Sequence, residues 1–192
     1  MSRTQYFTAT SIDGFIADPD NSLEWLFQAE SDGSAESAGQ QYQEFFDQVG
    51  ALAMGATTYE WILGHERVLD EPEKWPYAQT PCWVFSHRQL SAVPGAAVSF
   101  VSGDIRPVHK EMLASAGDLN IWLVGGGELV GQFADHGLLD EIILSIAPAT
   151  LGAGAPLLPR RLLPAELSLT GCRQDGTFVY LSYAVGAPYV DG

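Results

Sequence analysis

Three consecutive glycines, Gly125, Gly126 and Gly127, stand between the apolar run Ile121-Trp122-Leu123-Val124 and a helical pattern of Leu129, Val130 and Phe133. Glycine lets backbone approach an anion closely, and the unsatisfied N–H groups that open a helix attract phosphate. A plain strand-to-helix turn needs fewer glycines, so the pattern points to a phosphate-binding loop. It is not the dinucleotide fingerprint of the doubly wound fold. Gly125 and Gly127 fit that motif, but its third position is Val130, with the next glycine at Gly131, and the loop falls late in the chain.

A second loop, Met54-Gly55-Ala56-Thr57-Thr58-Tyr59, repeats the design of strand, glycine, hydroxyls and helix. Thr57 and Glu60 have capping-box spacing, so Gly55, Thr57 and Thr58 read either as phosphate contacts or as an ordinary helix start. A third loop, Ser86-His87-Arg88, follows the apolar run Cys82–Phe85. A hydroxyl, an imidazole and a guanidinium together suit a phosphate monoester. Arg88 is therefore a candidate for the 2′-phosphate that distinguishes NADPH from NADH, set against a solvated loop arginine. Asp13, in Ser11-Ile12-Asp13-Gly14, is a candidate substrate-binding or proton-relaying acid, and equally a turn residue of an Asp-Gly pair. Phe15 and Trp25 nearby are candidates to stack on a flat ring.

Other chemistries lack their residues. There is no Gly-x-Ser-x-Gly, P-loop, His-Glu-x-x-His or Ser-x-x-Lys, and His65, His87, His109 and His136 have no metal-ligand spacing. The formal charge of −15, with nine Lys and Arg scattered along the chain, disfavours nucleic acid and anionic membrane surfaces. Cys82 and Cys172 read as two free buried thiols of a reducing cytoplasm. The start Met-Ser-Arg-Thr-Gln has no apolar targeting region, and the apolar stretch 142–159 is broken by Gly and Pro, so the expected location is cytoplasmic.

The elements that must position these loops alternate. Strands are expected at Thr4–Thr10, 51–54, Cys82–Phe85, 97–101, 120–124, 140–147 and 177–185. Helices are expected at 23–27, at 42–49 with Tyr42, Phe45, Phe46 and Val49 on one face, after Thr57, after Asp104 and after Gly127. Gly117 and Gly137 close the last two. Segments 28–41, 71–81 and 151–159 read as loops. The 192 residues make one domain, an α/β fold with a mainly parallel central sheet, flanking helices and an antiparallel C-terminal edge. In such a sheet the three loops converge on one edge. Strand 177–185 carries apolar residues on both faces, Val179, Leu181, Tyr183 and Val185 against Phe178 and Tyr180, so a symmetry mate is expected to cover one face in a homodimer.

The order of these motifs resembles the dihydrofolate-reductase-like family, in the branch of the C-terminal reductase domain of riboflavin-biosynthesis deaminase-reductases. The matching stretches are Ser11 to Ala17, Met54 to Glu60, Val124 to Leu129, and Gly137 to Ile142 continuing to Pro148, Gly152 and Gly154. The resemblance implies an eight-stranded sheet with NADPH in a cleft. It implies that Val124, Gly125, Gly126, Gly127, Glu128, Leu129 and Val130 bind the cofactor, with Gly126 to Val130 around the pyrophosphate and a cis bond between Gly125 and Gly126. It also implies that Ser86, His87 and Arg88 take the 2′-phosphate. Ala56 departs from the family, which often has Arg or Lys there. The implied activity is hydride transfer from NADPH to a small nitrogen heterocycle, pterin- or folate-like or an aminopyrimidine; the alternative is a dimeric NADPH-binding module without turnover. Asp47 is the alternative acid, since dihydrofolate reductases carry theirs on a helix. An acid opposite the ring nitrogen would mark a pterin, and a basic pair a phosphorylated pyrimidine.

Overall fold

The computed structural model describes residues 2–30, 35–77 and 79–186. In chain order the elements are β1 Thr4–Thr10, β2 Phe15–Ala17, α1 Glu24–Glu30, α2 Ala35–Phe46, β3 Val49–Gly55, α3 Ala56–His65, β4 Cys82–Phe85, β5 Val98–Val101, α4 Ile105–Ala116, β6 Asn120–Gly125, α5 Gly127–Asp135, β7 Glu141–Ile146, β8 Ala155–Pro156, β9 Leu167–Asp175 and β10 Phe178–Val185. Eight strands form one sheet in the order β5-β4-β3-β6-β1-β7-β10-β9, and β2 and β8 make a separate pair. From β5 to β7 every pairing is parallel. The last two, β7 with β10 and β10 with β9, are antiparallel. This is the mixed α/β architecture expected from the sequence.

Alternation along the central strands divides the core in two. Tyr6, Ala51, Ala53, Ile121 and Leu123 face α4 and α5, where they meet Met112, Val130 and Phe133. Leu52, Met54, Val84 and Trp122 face the other way, toward Tyr59 and Ile62 of α3, with Tyr42, Phe45 and Phe46 of α2 packed alongside. Helix α4 lies so close to the sheet that a Cβ on Gly50 would stand 2.7 Å from the Ala116 carbonyl oxygen. Asp104 caps α4 as its sequence promises, accepting a bond from the Arg106 amide, and Gly117 follows at φ +62°.

Several expectations need correction. The segment 28–41 is helical at both ends: α1 runs to Glu30 and α2 begins at Ala35, while 31–34 lie outside the described residues. A polar stretch forms a helix here because Tyr42, Phe45 and Phe46 anchor its end, each ring lying 5.4–6.3 Å from the Trp122 ring. Aromatic contacts of this kind add about 0.5–1.5 kcal/mol each beyond their buried area. Val49 does not extend that helix but opens β3. Helix α3 starts at Ala56, two residues early for the capping box, and Gly55 caps it without a side-chain bond. Strand β9 escaped the sequence reading because it is a mostly exposed edge strand in which apolar and polar residues do not alternate cleanly. Cys172 lies on it and is exposed, whereas Cys82 is buried; both thiols are free.

Candidate functional site

A cavity of about 1110 Å³ opens along the C-terminal edge of the parallel strands and runs down the sheet face beneath α2. It is lined from β5 to β10, so it spans the sheet. Its two halves are built differently.

At the first half the wall is backbone. Strand β6 ends at Gly125, the Gly125–Gly126 peptide is cis, and α5 begins at Gly127. The three glycines meet separate requirements. Gly125 has φ +137°, a conformation that side-chain-bearing residues rarely adopt. Gly126 has ordinary extended backbone, but a Cβ there would project into the cavity, touching only Ile16 at 3.9 Å. Gly127 is pressed under the chain of β8, and a Cβ would run into the carbonyl oxygens of Pro156 and Leu157. The first amides of α5 have no partner within the helix, and Gly127, Glu128 and Leu129 line the cavity mouth, a site suited to phosphate. Gly55 meets the same loop from α3, its Cβ position 3.9 Å from Gly125 O, and Thr57 and Thr58 also line the wall. Ser86 and His87 close this end, joined by Ser102 and Gly103, which the sequence reading missed. These last two follow β5 as Ser86 follows β4, so strand order alone would have found them.

Eleven of the seventeen candidate site residues singled out from sequence line this cavity: Gly55, Thr57, Thr58, Ser86, His87, Val124, Gly125, Gly126, Gly127, Glu128 and Leu129. Six do not. Val130 is fully buried in the core under α5, and its amide already donates to Gly126 O at 3.2 Å. Arg88 turns out of the cavity and pairs with Glu60 at 2.7 Å. Asp13 is a loop tie. Its carboxylate accepts from the Ser11 hydroxyl at 2.6 Å and from the amides of Gly152 at 2.7 Å and Leu151 at 3.1 Å. The Ser11 bond, then the Gly152 amide, holds its carboxyl below the usual range. An acid kept ionised and fully engaged is a poor proton donor; Asp13 instead joins the β1–β2 turn to the 149–152 loop. Asp47 is exposed after α2 and accepts from Gln43 at 2.6 Å, away from the cavity. Phe15 and Trp25 also lie off its wall.

The second half is made of side chains from distant segments. Phe7 and Ala9 come from β1, Ser145 from β7 and Tyr180 from β10, with Leu23, Leu26 and Tyr42 opposite. Trp122 and Trp61 add indole surface, and the Trp122 N–H is already given to Phe7 O at 2.9 Å. Burial pushes the Tyr42 phenol up to about 12, so it stays a neutral donor. Glu128 is the only carboxylate on the wall among the described residues; bonds from the Arg160 guanidinium at 2.7 and 2.9 Å hold its pKa down. No group of His, Cys, Asp and Glu among the described residues could hold a metal ion.

The model of the RibD C-terminal domain matches residues 4–181. The chain belongs to that family. This RibD C-terminal domain is 33% identical over 181 residues to the uncharacterized protein YwjB of Bacillus subtilis, covering 94% of this chain and 97% of that protein. It is 28% identical over 154 residues to YyaP of the same organism, covering 78% and 76%. Among solved structures, a protein of Shewanella sp. PV-4 superposes with TM-score 0.78 at 23% identity, covering 96% of this chain and 99% of that one. The diaminohydroxyphosphoribosylaminopyrimidine deaminase/5-amino-6-(5-phosphoribosylamino)uracil reductase of Thermotoga maritima gives 0.64 at 14%, covering 96% of this chain and 57% of that one. Dihydrofolate reductase from Enterococcus faecalis, complexed with NADP(H), gives 0.60 at 12%, covering 95% and 96%. The RibD C-terminal domain thus shares its fold with dihydrofolate reductase, and no helix among its described residues is long and apolar enough to cross a membrane.

Proposed function

We propose that this domain is an NADPH-dependent reductase that transfers hydride to an unsaturated carbon of a small nitrogen heterocycle. The observation that carries the reading is the continuity of the cavity. One space joins the amide-lined mouth at Gly125 to Leu129 with the aromatic slot reaching Ser145 and Tyr180. Family membership and the NADP(H) complex of a structural neighbour point the same way. The cradle fits a dinucleotide: a Cβ at Gly126 would fill the space a phosphate needs, while the hydroxyls of Thr57 and Thr58 supply neutral donors. NADPH bound there would supply the hydride, and a proton must reach the neighbouring ring nitrogen. The chain's part is to orient the two rings and exclude water, with Tyr42 and Tyr180 as hydroxyl donors. Titration of tryptophan fluorescence with NADPH and NADH tests the cofactor, since Trp61 and Trp122 line the cavity. Tighter binding of NADPH is expected, and absence of binding by either overturns the reading.

A second reading, a cofactor-binding module without turnover, draws on the absence of an untied carboxylate among the described residues of the wall. Sustained NADPH oxidation with any pteridine or pyrimidine rejects it. The assembly and location inferred from sequence belong to the same proposal: a cytoplasmic homodimer, favoured by the exposed Leu169 and Val179 on β9 and β10. Light scattering at micromolar concentration should give twice the chain mass.

A further inference from the structure

One row of residues crosses the slot. Ala9, Ser145 and Tyr180 stand side by side across three strands, Ala9 paired with Ser145 and Ser145 with Tyr180. Ser145 is 8% exposed, and among the described residues its hydroxyl makes no hydrogen bond. Ser145 lines the open slot, so a group entering it can bond this hydroxyl in place of water. Tyr180 lines the same space, and its hydroxyl likewise makes no hydrogen bond among the described residues.

Among the described residues this half of the wall carries no charged side chain. None of the nine Lys and Arg lines the cavity. The cation closest to the row is Arg173, which lies over the Tyr180 ring, 4.9 Å from its centre, and faces Asp175 at 4.0 Å. Arg3, at the far end of β1, pairs with Glu141. A phosphate dianion placed in the slot would lose its water without gaining a counter-charge, inside a chain of net charge −15. A cationic ring fares no better, because the one carboxylate on the wall, Glu128, stands at the other half and is held by Arg160. Among the described residues neither sign of charge has a free partner on the wall of the slot.

We propose that the substrate of this site is a flat, uncharged ring without a phosphate group, its faces against the aromatic wall and its polar edge bonded to Ser145 and Tyr180. The proposal rests on the reductase reading, since it concerns the second ligand of that cavity. It separates this domain from the phosphoribosylated uracil named for the Thermotoga reductase.

The test is a matched pair: 5-amino-6-(ribosylamino)uracil and its 5′-phosphate, each titrated by tryptophan fluorescence with and without NADP⁺, beside uncharged pteridine and quinazoline rings. The riboside or another neutral ring is expected to bind, the phosphate ester no more tightly than its riboside. Ser145→Ala should weaken the neutral ligand about fivefold while NADPH affinity holds. Threefold or greater preference for the phosphate ester overturns the proposal, and loss of that preference in Arg173→Gln would locate the anion site. Failure of every neutral ring to bind also overturns it. Failure of NADPH to bind strikes the reductase reading instead, because the phosphate comparison is read without cofactor as well.

Discussion

The two halves of the cavity solve recognition by opposite means. The mouth near α5 presents backbone: three glycines, the free amides of a helix start and a few hydroxyls, all from short stretches at strand ends. The inner slot presents side chains gathered from β1, β7, β10, α1 and α2, separated by more than a hundred residues in sequence. A backbone-built site recognises what every dinucleotide carries, and its tolerance to change is set by steric room. A side-chain-built site recognises a particular ring, and its residues can be exchanged without disturbing the sheet. On the proposed function, the division would let one fold keep its cofactor while altering its substrate.

Substitutions can break or sharpen that contrast, beginning with the largest effect. Gly126→Val should weaken NADPH binding about a hundredfold, the worth of one or two charge-assisted hydrogen bonds, while circular dichroism and thermal unfolding stay near the parent. An unchanged affinity would reduce the glycine loop to a turn. Gly127→Ala should act on stability instead, by about 2–3 kcal/mol in denaturant unfolding, because its Cβ would displace the carbonyls of Pro156 and Leu157. If the two variants behaved alike, the separation of cradle from scaffold within one loop would be wrong.

Arg88→Ala should lower the preference for NADPH over NADH by no more than about threefold, as expected of an exposed, paired cation. A tenfold loss would show that Arg88 leaves Glu60 when cofactor binds, making the mouth partly side-chain-built. The smallest effect is at Asp13. Its native pKa lies below the unfolded value of about 3.9, so its stabilisation is present above that pH and fades as pH falls through the lower native value. Asp13→Asn should therefore melt below the parent at pH 7, and the difference should close in acid. Turnover should survive, since Asp13 lies off the cavity wall.

The same division governs how much could be read from sequence. Gly125–Gly126–Gly127, Gly55 and Ser86 were legible as cavity-lining residues because their pattern is local: a strand, a glycine or hydroxyl, a helix. The parallel core was legible for a related reason, since buried strands appear as apolar runs and their helices keep a clear period. Ser145 and Tyr180 carried no signal, being ordinary strand residues until the antiparallel return of β10 set them side by side. Asp13 misled because an acid beside an Asp-Gly turn has the same sequence whether it faces a substrate or the amides of residues 138 and 139 positions later. Val130 misled because a helix start offers its first amides, and by Val130 the helix has begun to use them itself.

Cys82 opens one more line of enquiry. Its sulfur sits in the core on the α3 side, with Leu52, Tyr77 and Trp122 in the same cluster, and burial pushes the thiol up to about 12. A thiol reagent can reach it only when that part of the molecule comes apart, whereas Cys172 on the exposed edge is open throughout. The protein therefore contains a clock and its control. The slow phase of labelling counts openings of the layer that backs the aromatic slot, and the fast phase reports the reagent. A ligand that binds only the closed slot should lengthen the slow phase by a factor of one plus the ratio of free ligand concentration to Kd, giving a readout of binding that requires neither colour nor turnover.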